Sequence, residues 1–339
     1  VPRGAFVYLA RAIKEAVDVP VIASHRINDP ATARQVITQG HCDMVAMGRS
    51  LIADPMLPQK ARTGKEDQIV HCIACAQGCF DNLFKLKHVE CLCNPLAGYE
   101  GSTPLQKVQT PLKVLVIGAG AAGMSAALTA KRRGHSVFIV DKAGRPGGQL
   151  HLAAAPPGRD EFSQLAQDLA HQMAAEGIAL TLNQAADQAF IETIKPDAVI
   201  LATGAQPVTP PVKGIDLPHV VNAWDVLSNR AGTGNRVVIM GGGAVGVETA
   251  LFLAEQGTID AHTLKFLLVN QAESMETLHQ MATKGSKQVV LLEMMDRIGK
   301  DIGKSTKWGM MQDLGRFGVE TITGARVETI TSTGLEYSV

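Results

Sequence analysis

Apolar positions recur at helical spacing from Ala5 to Ala16 and again from Pro30 to Gln39, and each stretch leads into a short continuous apolar run, Val19 to Ala23 and Met44 to Met47. The first pattern lays one apolar stripe along a helix, and the second suits a strand covered on both faces. Punctuation agrees: Pro20 enters the first run, Ser24-His25-Arg26 leaves it, Gly40 ends the second helical stretch and Gly48-Arg49 leaves the second run. The order predicts βαβα with parallel strands. Two such units cannot close a sheet or cover both its faces, so residues 1–62 are expected to be the end of a larger α/β domain, a barrel.

Between 63 and 107 the periodicity lapses, which predicts a loop-rich segment organised by what it binds. At Lys113 a strand, a glycine-rich turn and a helix begin, and at Arg236 the same arrangement starts again. These starts predict two further α/β domains, 108–226 and 227–339. The first turn runs from Val114-Leu115-Val116-Ile117 into Gly118-Ala119-Gly120-Ala121-Ala122-Gly123, and a second strand, Ser136 to Val140, ends at Asp141. This is a dinucleotide-binding fingerprint. Gly118 makes the tight turn, Gly120 lets backbone approach a pyrophosphate, Gly123 allows close helix packing, and Asp141 is placed to accept from a ribose hydroxyl. The pyrophosphate belongs at the helix N-terminus, beside Ala122. Gly147-Gly148-Gln149 offers a second close backbone approach, and the apolar strand Ala198 to Leu201 ends in Ala202-Thr203-Gly204.

The second turn runs from Val237-Val238-Ile239-Met240 into Gly241-Gly242-Gly243-Ala244-Val245-Gly246, with Glu248 on the helix that follows. The next strand, Gln288 to Leu292, ends at Glu293 and comes about 30 residues late for a bare βαβ unit, so 257–287 is expected to be an insertion. A carboxylate at Glu293 would repel a 2′-phosphate and favours NADH, while nearby Arg297 keeps NADPH open. The charged stretch Asp296 to Lys304 is expected to be a solvated loop and helix start.

Composition adds limits. Lys plus Arg and Asp plus Glu balance at 32 each, so no net field recruits nucleic acid or an anionic membrane, and small-molecule partners are expected. No run of 18 apolar residues marks a membrane span, and a cytoplasmic location is the expectation. Five of the six cysteines fall between Cys72 and Cys93, which suggests metal before disulfides. Cys72-x2-Cys75-x3-Cys79 followed by Cys91 suits tetrahedral Zn or a 4Fe-4S cluster, with Cys93 an alternative fourth ligand. Cys42 stands apart as a buried apolar thiol. His71 and His88 flank a set that already has four thiolates and are not expected to be ligands.

The order of turns and the Ala-Thr-Gly strand end resemble the two-dinucleotide-domain flavoproteins of the glutathione reductase type. That resemblance assigns the first turn to FAD and the second to NAD(P)H. A cluster beside a flavin has an electron-transfer use and Zn has none, which favours 4Fe-4S. With Arg26-Ile27-Asn28-Asp29-Pro30, Gly48-Arg49-Ser50-Leu51-Ile52-Ala53-Asp54-Pro55 and Cys93-Asn94-Pro95, the whole chain outside the insertion resembles the iron-sulfur flavoenzymes of the Old Yellow Enzyme family, the group of 2,4-dienoyl-CoA reductase, 2-enoate reductase and trimethylamine dehydrogenase. The resemblance implies that residues 1–62 are the last two βα units of an FMN-binding (β/α)8 barrel, in which Gly48, Arg49 and Arg26 hold the FMN phosphate.

It further implies electron flow from NAD(P)H through FAD, 4Fe-4S and FMN to an unsaturated acid or acyl-CoA. The general acid is expected on barrel strands outside this chain, so no catalytic residue is assigned. The remainder of the barrel is the implied protein partner, and a homo-oligomer is allowed. An amine dehydrogenase running the path in reverse, and a non-catalytic Zn-binding scaffold, are the alternatives.

Overall fold

The computed structural model describes all 339 residues. The chain forms two compact units, Val1–His151 with Glu161–Gly204, and Leu152–Asp160 with Ala205–Val339. Segment 205–226, grouped with the first nucleotide domain on sequence, lies in the second unit.

The first unit opens with the predicted parallel pair, β1 (Ile22–Ala23) and β2 (Met44–Val45), in register Ile22 to Met44. Both strands are shorter than the apolar runs that predict them. The Asp43 carboxylate accepts the Val21 N–H at 2.8 Å and takes that donor away from the ladder. Asp29 caps the helix Pro30–Thr38 by accepting the Thr32 N–H at 2.7 Å. Val7, Ala23, Ile27, Val36 and Cys42 share one small core, which places Cys42 in an apolar setting.

A four-stranded parallel sheet follows, of β3 (Lys113–Ile117), β4 (Ser136–Val140), β5 (Ala179–Thr181) and β6 (Ala198–Leu201), in the order β5-β4-β3-β6. Leu115, Val116, Ile139 and Val140 are fully buried, as near-continuous apolar strands in a parallel sheet must be. The helices Ala121–Arg132 and Glu161–Ala175 pack against each other beside it.

Glu161, at the start of the second of these helices, accepts from Arg3 at 2.9 Å and from Arg26 at 2.9 Å. Burial pushes its carboxyl up, but the two arginines outweigh burial and hold it below the ordinary carboxylate value. Glu161→Gln leaves two cations poorly paired and is expected to lower stability by about 1–3 kcal/mol near neutral pH. Because the folded value is the depressed one, this contribution is present above the unfolded value of about 4.3 and is lost as pH falls through the folded value. Denaturant midpoints of the two proteins are therefore expected to differ at pH 7 and to draw together only as pH falls below the ordinary carboxylate range.

In the second unit β7 (Arg236–Met240), β8 (Gln288–Glu293) and β9 (Glu320–Thr323) form a parallel sheet in that order. Val247, Ala250 and Leu253 of the helix Ala244–Ala254 pack with Val289, Leu291 and Leu314 in its core. The expected insertion is two helices, Ala261–Val269 capped by Asp260 and Met275–Thr283 capped by Ser274. After it β8 pairs with β7 without a slip, from Arg236–Gln288 to Met240–Leu292. An antiparallel hairpin, β10 (Arg326–Thr331) and β11 (Gly334–Ser338), ends the described chain. No helix is long and apolar enough to cross a membrane.

Candidate functional site

The first glycine turn is built by backbone that tolerates no side chain. Gly118 has φ +110°. A Cβ on Gly123 would lie 1.8 Å from the Gly118 carbonyl oxygen, and one on Gly118 would lie 2.2 Å from that of Ala202, so the Ala202-Thr203-Gly204 strand end closes directly on the turn. Around Gly120, by contrast, a Cβ would meet nothing within 4 Å. Space for a ligand lies on that side. Asp141 at the end of β4 accepts the Ala119 N–H at 2.6 Å and the Ala143 N–H at 2.8 Å, so it braces the turn. Gly147 donates to the Ala119 carbonyl at 2.8 Å, which brings Gly148 to the far side of Gly120 with Gln149 after it.

The second turn repeats the left-handed first glycine and the close helix approach of the first. Gly241 has φ +99°, and a Cβ on Gly246 would lie 1.8 Å from the Gly241 carbonyl oxygen. Glu293 at the end of β8 accepts the Gly242 N–H at 2.7 Å, as Asp141 does from Ala119. Despite the insertion, Glu293 therefore stands where Asp141 stands. Ala244 and Val245 begin the helix behind the turn. Glu248 does not join the turn. It enters a separate concavity with Pro156, Pro157 and Met310, pairs with Arg159 at 2.7 Å, and has its carboxyl pushed up by burial.

The four predicted thiols come together. Cys72, Cys75, Cys79 and Cys91 line one concavity, with Arg49, Ile52 and Cys93 in its wall. Gly78 and Glu90 join the two ends of the cysteine loop through a 2.8 Å backbone hydrogen bond, and a side chain on Gly78 would strike the Glu90 carbonyl. Asn28 donates to the Cys72 carbonyl and Asn94 to that of Ile52, each at 2.9 Å, which ties the loop to the β1–β2 segment. No three His, Cys, Asp or Glu side chains converge on the position of a single ion. Burial pushes the Cys72 thiol up and the Cys75 thiol up to about 11. The Cys91 thiol is lowered, first by a hydrogen bond from the Cys93 thiol and then, against burial, by the N–H groups of Cys93 and Asn94. Cys93 itself is raised and buried.

The profile of the pyridine nucleotide-disulphide oxidoreductases matches residues 112–339. The chain belongs to this family. In this pyridine nucleotide-disulphide oxidoreductase a second profile, that of the NADH:flavin oxidoreductase / NADH oxidase family, matches residues 4–68, the β1–β2 segment that reads as the end of a barrel. A metal reductase of Desulforamulus reducens is 45% identical over 339 residues, covering 99% of this chain and 51% of the relative. A cinnamate reductase of Clostridium sporogenes is 38% identical over 255 residues, covering 75% and 38%. Among solved structures, a 2-naphthoyl-CoA reductase in complex with 2-naphthoyl-CoA superimposes with TM-score 0.88 at 29% identity, over 100% of this chain and 47% of that one. The chain spans about half the length of the first of these relatives, and less of the second.

Side chains around the phosphate end expected for FMN behave differently from one another. Gly48 opens the helix Gly48–Ala53 with nothing near its Cα, and the Arg49 guanidinium lies 5.2 Å from the Phe80 ring centre at the cysteine concavity. Asp54 is not its partner, since it binds Lys60 at 2.6 Å and the Val70 N–H at 2.9 Å. Arg26 is committed to Glu161 and to the Val1 carbonyl. His25 and Arg26 are both left-handed, with φ +77° and +59°. His71, beside Cys72, turns its Nδ1 to buried Asp168 at 3.1 Å and away from the cavity.

Two features escape sequence reading. Glu161 carries no motif. Asp301 sits in the exposed loop before the helix Lys304–Arg316, and that loop folds back on the second turn, with Gly299 donating to the Gly242 carbonyl at 2.7 Å and Asp301 accepting from Ala244. Its distance past Glu293, matching that of Gln149 past Asp141, is the signal that could have found it.

Proposed function

We propose that this chain is the electron-delivery half of a nicotinamide-dependent flavin and iron-sulfur reductase whose acceptor is a carbon–carbon double bond conjugated to a carboxylate or acyl-CoA. The observation that carries the reading is two like-built dinucleotide turns in one chain with four thiols set around a single concavity. The first turn would hold FAD through Gly118, Gly120, Ala122 and Gly123, with Asp141, Gly148, Gln149, Thr203 and Gly204 around it. The second would hold the nicotinamide through Gly241, Gly243, Ala244, Val245 and Gly246, with Glu293 at its ribose; Glu248 stands outside this set and steadies Arg159. A carboxylate at Glu293 favours NADH.

Cys72, Cys75, Cys79 and Cys91 would ligate the cluster. Four thiols on one concavity suit Zn or 4Fe-4S, and the two nucleotide turns in the same chain give a cluster an electron-transfer use that Zn lacks. Gly48 and Arg49 are the FMN phosphate contacts this chain would offer, because Arg26 is spent on Glu161. When bound, the flavins exchange hydride and single electrons and the cluster carries single electrons between them, in the order NAD(P)H, FAD, 4Fe-4S, FMN. The reductase names of the cinnamate and naphthoyl-CoA relatives support the acceptor class.

Anaerobic NADH is expected to bleach the flavin absorbance of the full-length enzyme, and an enoate or enoyl-CoA to restore it. Failure of both nicotinamides, with bleaching by a small amine, would overturn the reading in favour of an amine dehydrogenase. The metal reductase relative favours a second acceptor class, oxidised metal ions, and reoxidation by ferric iron but not by any enoate would select it.

A further inference from the structure

The two glycine turns share their strained first glycine and the close helix approach behind it, and the chemical difference at one pair of equivalent positions beside them bears on where a ligand would sit. In each, the loop leaving the second strand returns and donates a glycine N–H to the second residue of the turn: Gly147 to Ala119, and Gly299 to Gly242. Two residues further on stands Gln149 in the first unit and Asp301 in the second. One is a neutral amide and the other a carboxylate.

Asp301 is turned onto the helix. Its Oδ1 and Oδ2 both accept the N–H of Ala244, the first helical residue, at 3.0 Å. Its Oδ2 lies 3.1 Å from where a Cβ would stand on Gly243, whereas the same place at the equivalent Gly120 is open. That is the position where a dinucleotide fingerprint seats its pyrophosphate, on the exposed N–H groups and positive end of the helix. Two anions cannot share it. The side chain is solvent-exposed, so it can leave the helix for water without a change in the core.

We propose that Asp301 occupies the pyrophosphate position of the second nucleotide site and sets its affinity for nicotinamide dinucleotides, which must displace the carboxylate to bind. The inference rests on the nicotinamide reading of this turn. It predicts that removing the charge tightens binding, the opposite of what a residue contacting the ligand would show.

The test is the dissociation constant for NADH, and for ADP-ribose as a pyrophosphate probe with no nicotinamide, measured by calorimetry on the full-length holoenzyme at low ionic strength. Asp301→Asn is expected to bind both roughly three- to tenfold more tightly. Asp301→Glu, which keeps the charge, is expected to bind no more tightly than the native protein. Native binding that Asp301→Asn leaves unchanged or weakens overturns the role of Asp301 alone. Binding of neither probe by native protein or variant overturns the nucleotide reading of the turn and this inference with it.

Discussion

Cys79→Ser is expected to reduce the iron content of the purified enzyme from about four atoms per chain to less than one, with loss of the broad visible absorbance of the cluster. The reason is positional. Cys79 follows Gly78, whose backbone hydrogen bond to Glu90 draws the two limbs of the cysteine loop together, so its thiol faces the same concavity as Cys72, Cys75 and Cys91. A serine there offers a poorer, harder donor to iron. Cys91→Ser is expected to do the same, and Cys93→Ser to keep the iron. Cys91 receives hydrogen bonds that favour its thiolate, whereas Cys93 gives one away and is buried as a thiol. Iron retained in Cys91→Ser but lost in Cys93→Ser would exchange their roles. One zinc per chain and no iron would remove the electron-transfer reading altogether.

Gly123→Ala is expected to abolish FAD retention and to lower the thermal midpoint of the first unit. The added carbon would lie 1.8 Å from the Gly118 carbonyl oxygen and 3.2 Å from the Ala202 Cβ. Neither neighbour is a flexible side-chain end, so the helix Ala121–Arg132 must move off the sheet. Overpacking of this kind costs about 1–3 kcal/mol or more, and here it also displaces the N–H groups that would seat the pyrophosphate. Flavin content after gel filtration and calorimetric unfolding read the two effects separately. Gly134→Ala is a control at a left-handed glycine outside the turn, φ +97°, where an added Cβ would meet nothing within 4 Å: it is expected to cost some stability through backbone strain and to leave flavin content unchanged. Equal FAD retention in Gly123→Ala and the native enzyme would overturn the assignment of this turn.

Much of this site is legible along the chain because its determinants are local. The clash that demands glycine at Gly123 arises five residues back at Gly118, and the same holds for Gly246 and Gly241. The apolar runs that announce β3, β4, β7 and β8 are continuous because both faces of a parallel sheet are covered. The late strand ending at Glu293 can be placed despite the insertion, since the inserted helices carry their own caps at Asp260 and Ser274 and leave the register of β8 alone.

Other features become visible only in three dimensions. Arg26 reads from sequence as a phosphate ligand, but 135 positions away Glu161 takes its guanidinium. Asp301 reads as part of a solvated loop, but 57 positions back it finds the N–H of Ala244. Glu248 follows its fingerprint in sequence and still faces Arg159 rather than the turn.

The sequence by itself thus determined the order of domains, the two glycine turns and the cysteine set, each written in steric rules and spacings that act within a few residues. Tertiary structure decided which charge meets which: Arg26 with Glu161, Glu248 with Arg159, Asp301 with the second helix. A charged side chain in a sequence states its sign but not its partner, and only the folded chain brings distant groups within the few ångströms at which the pairing matters.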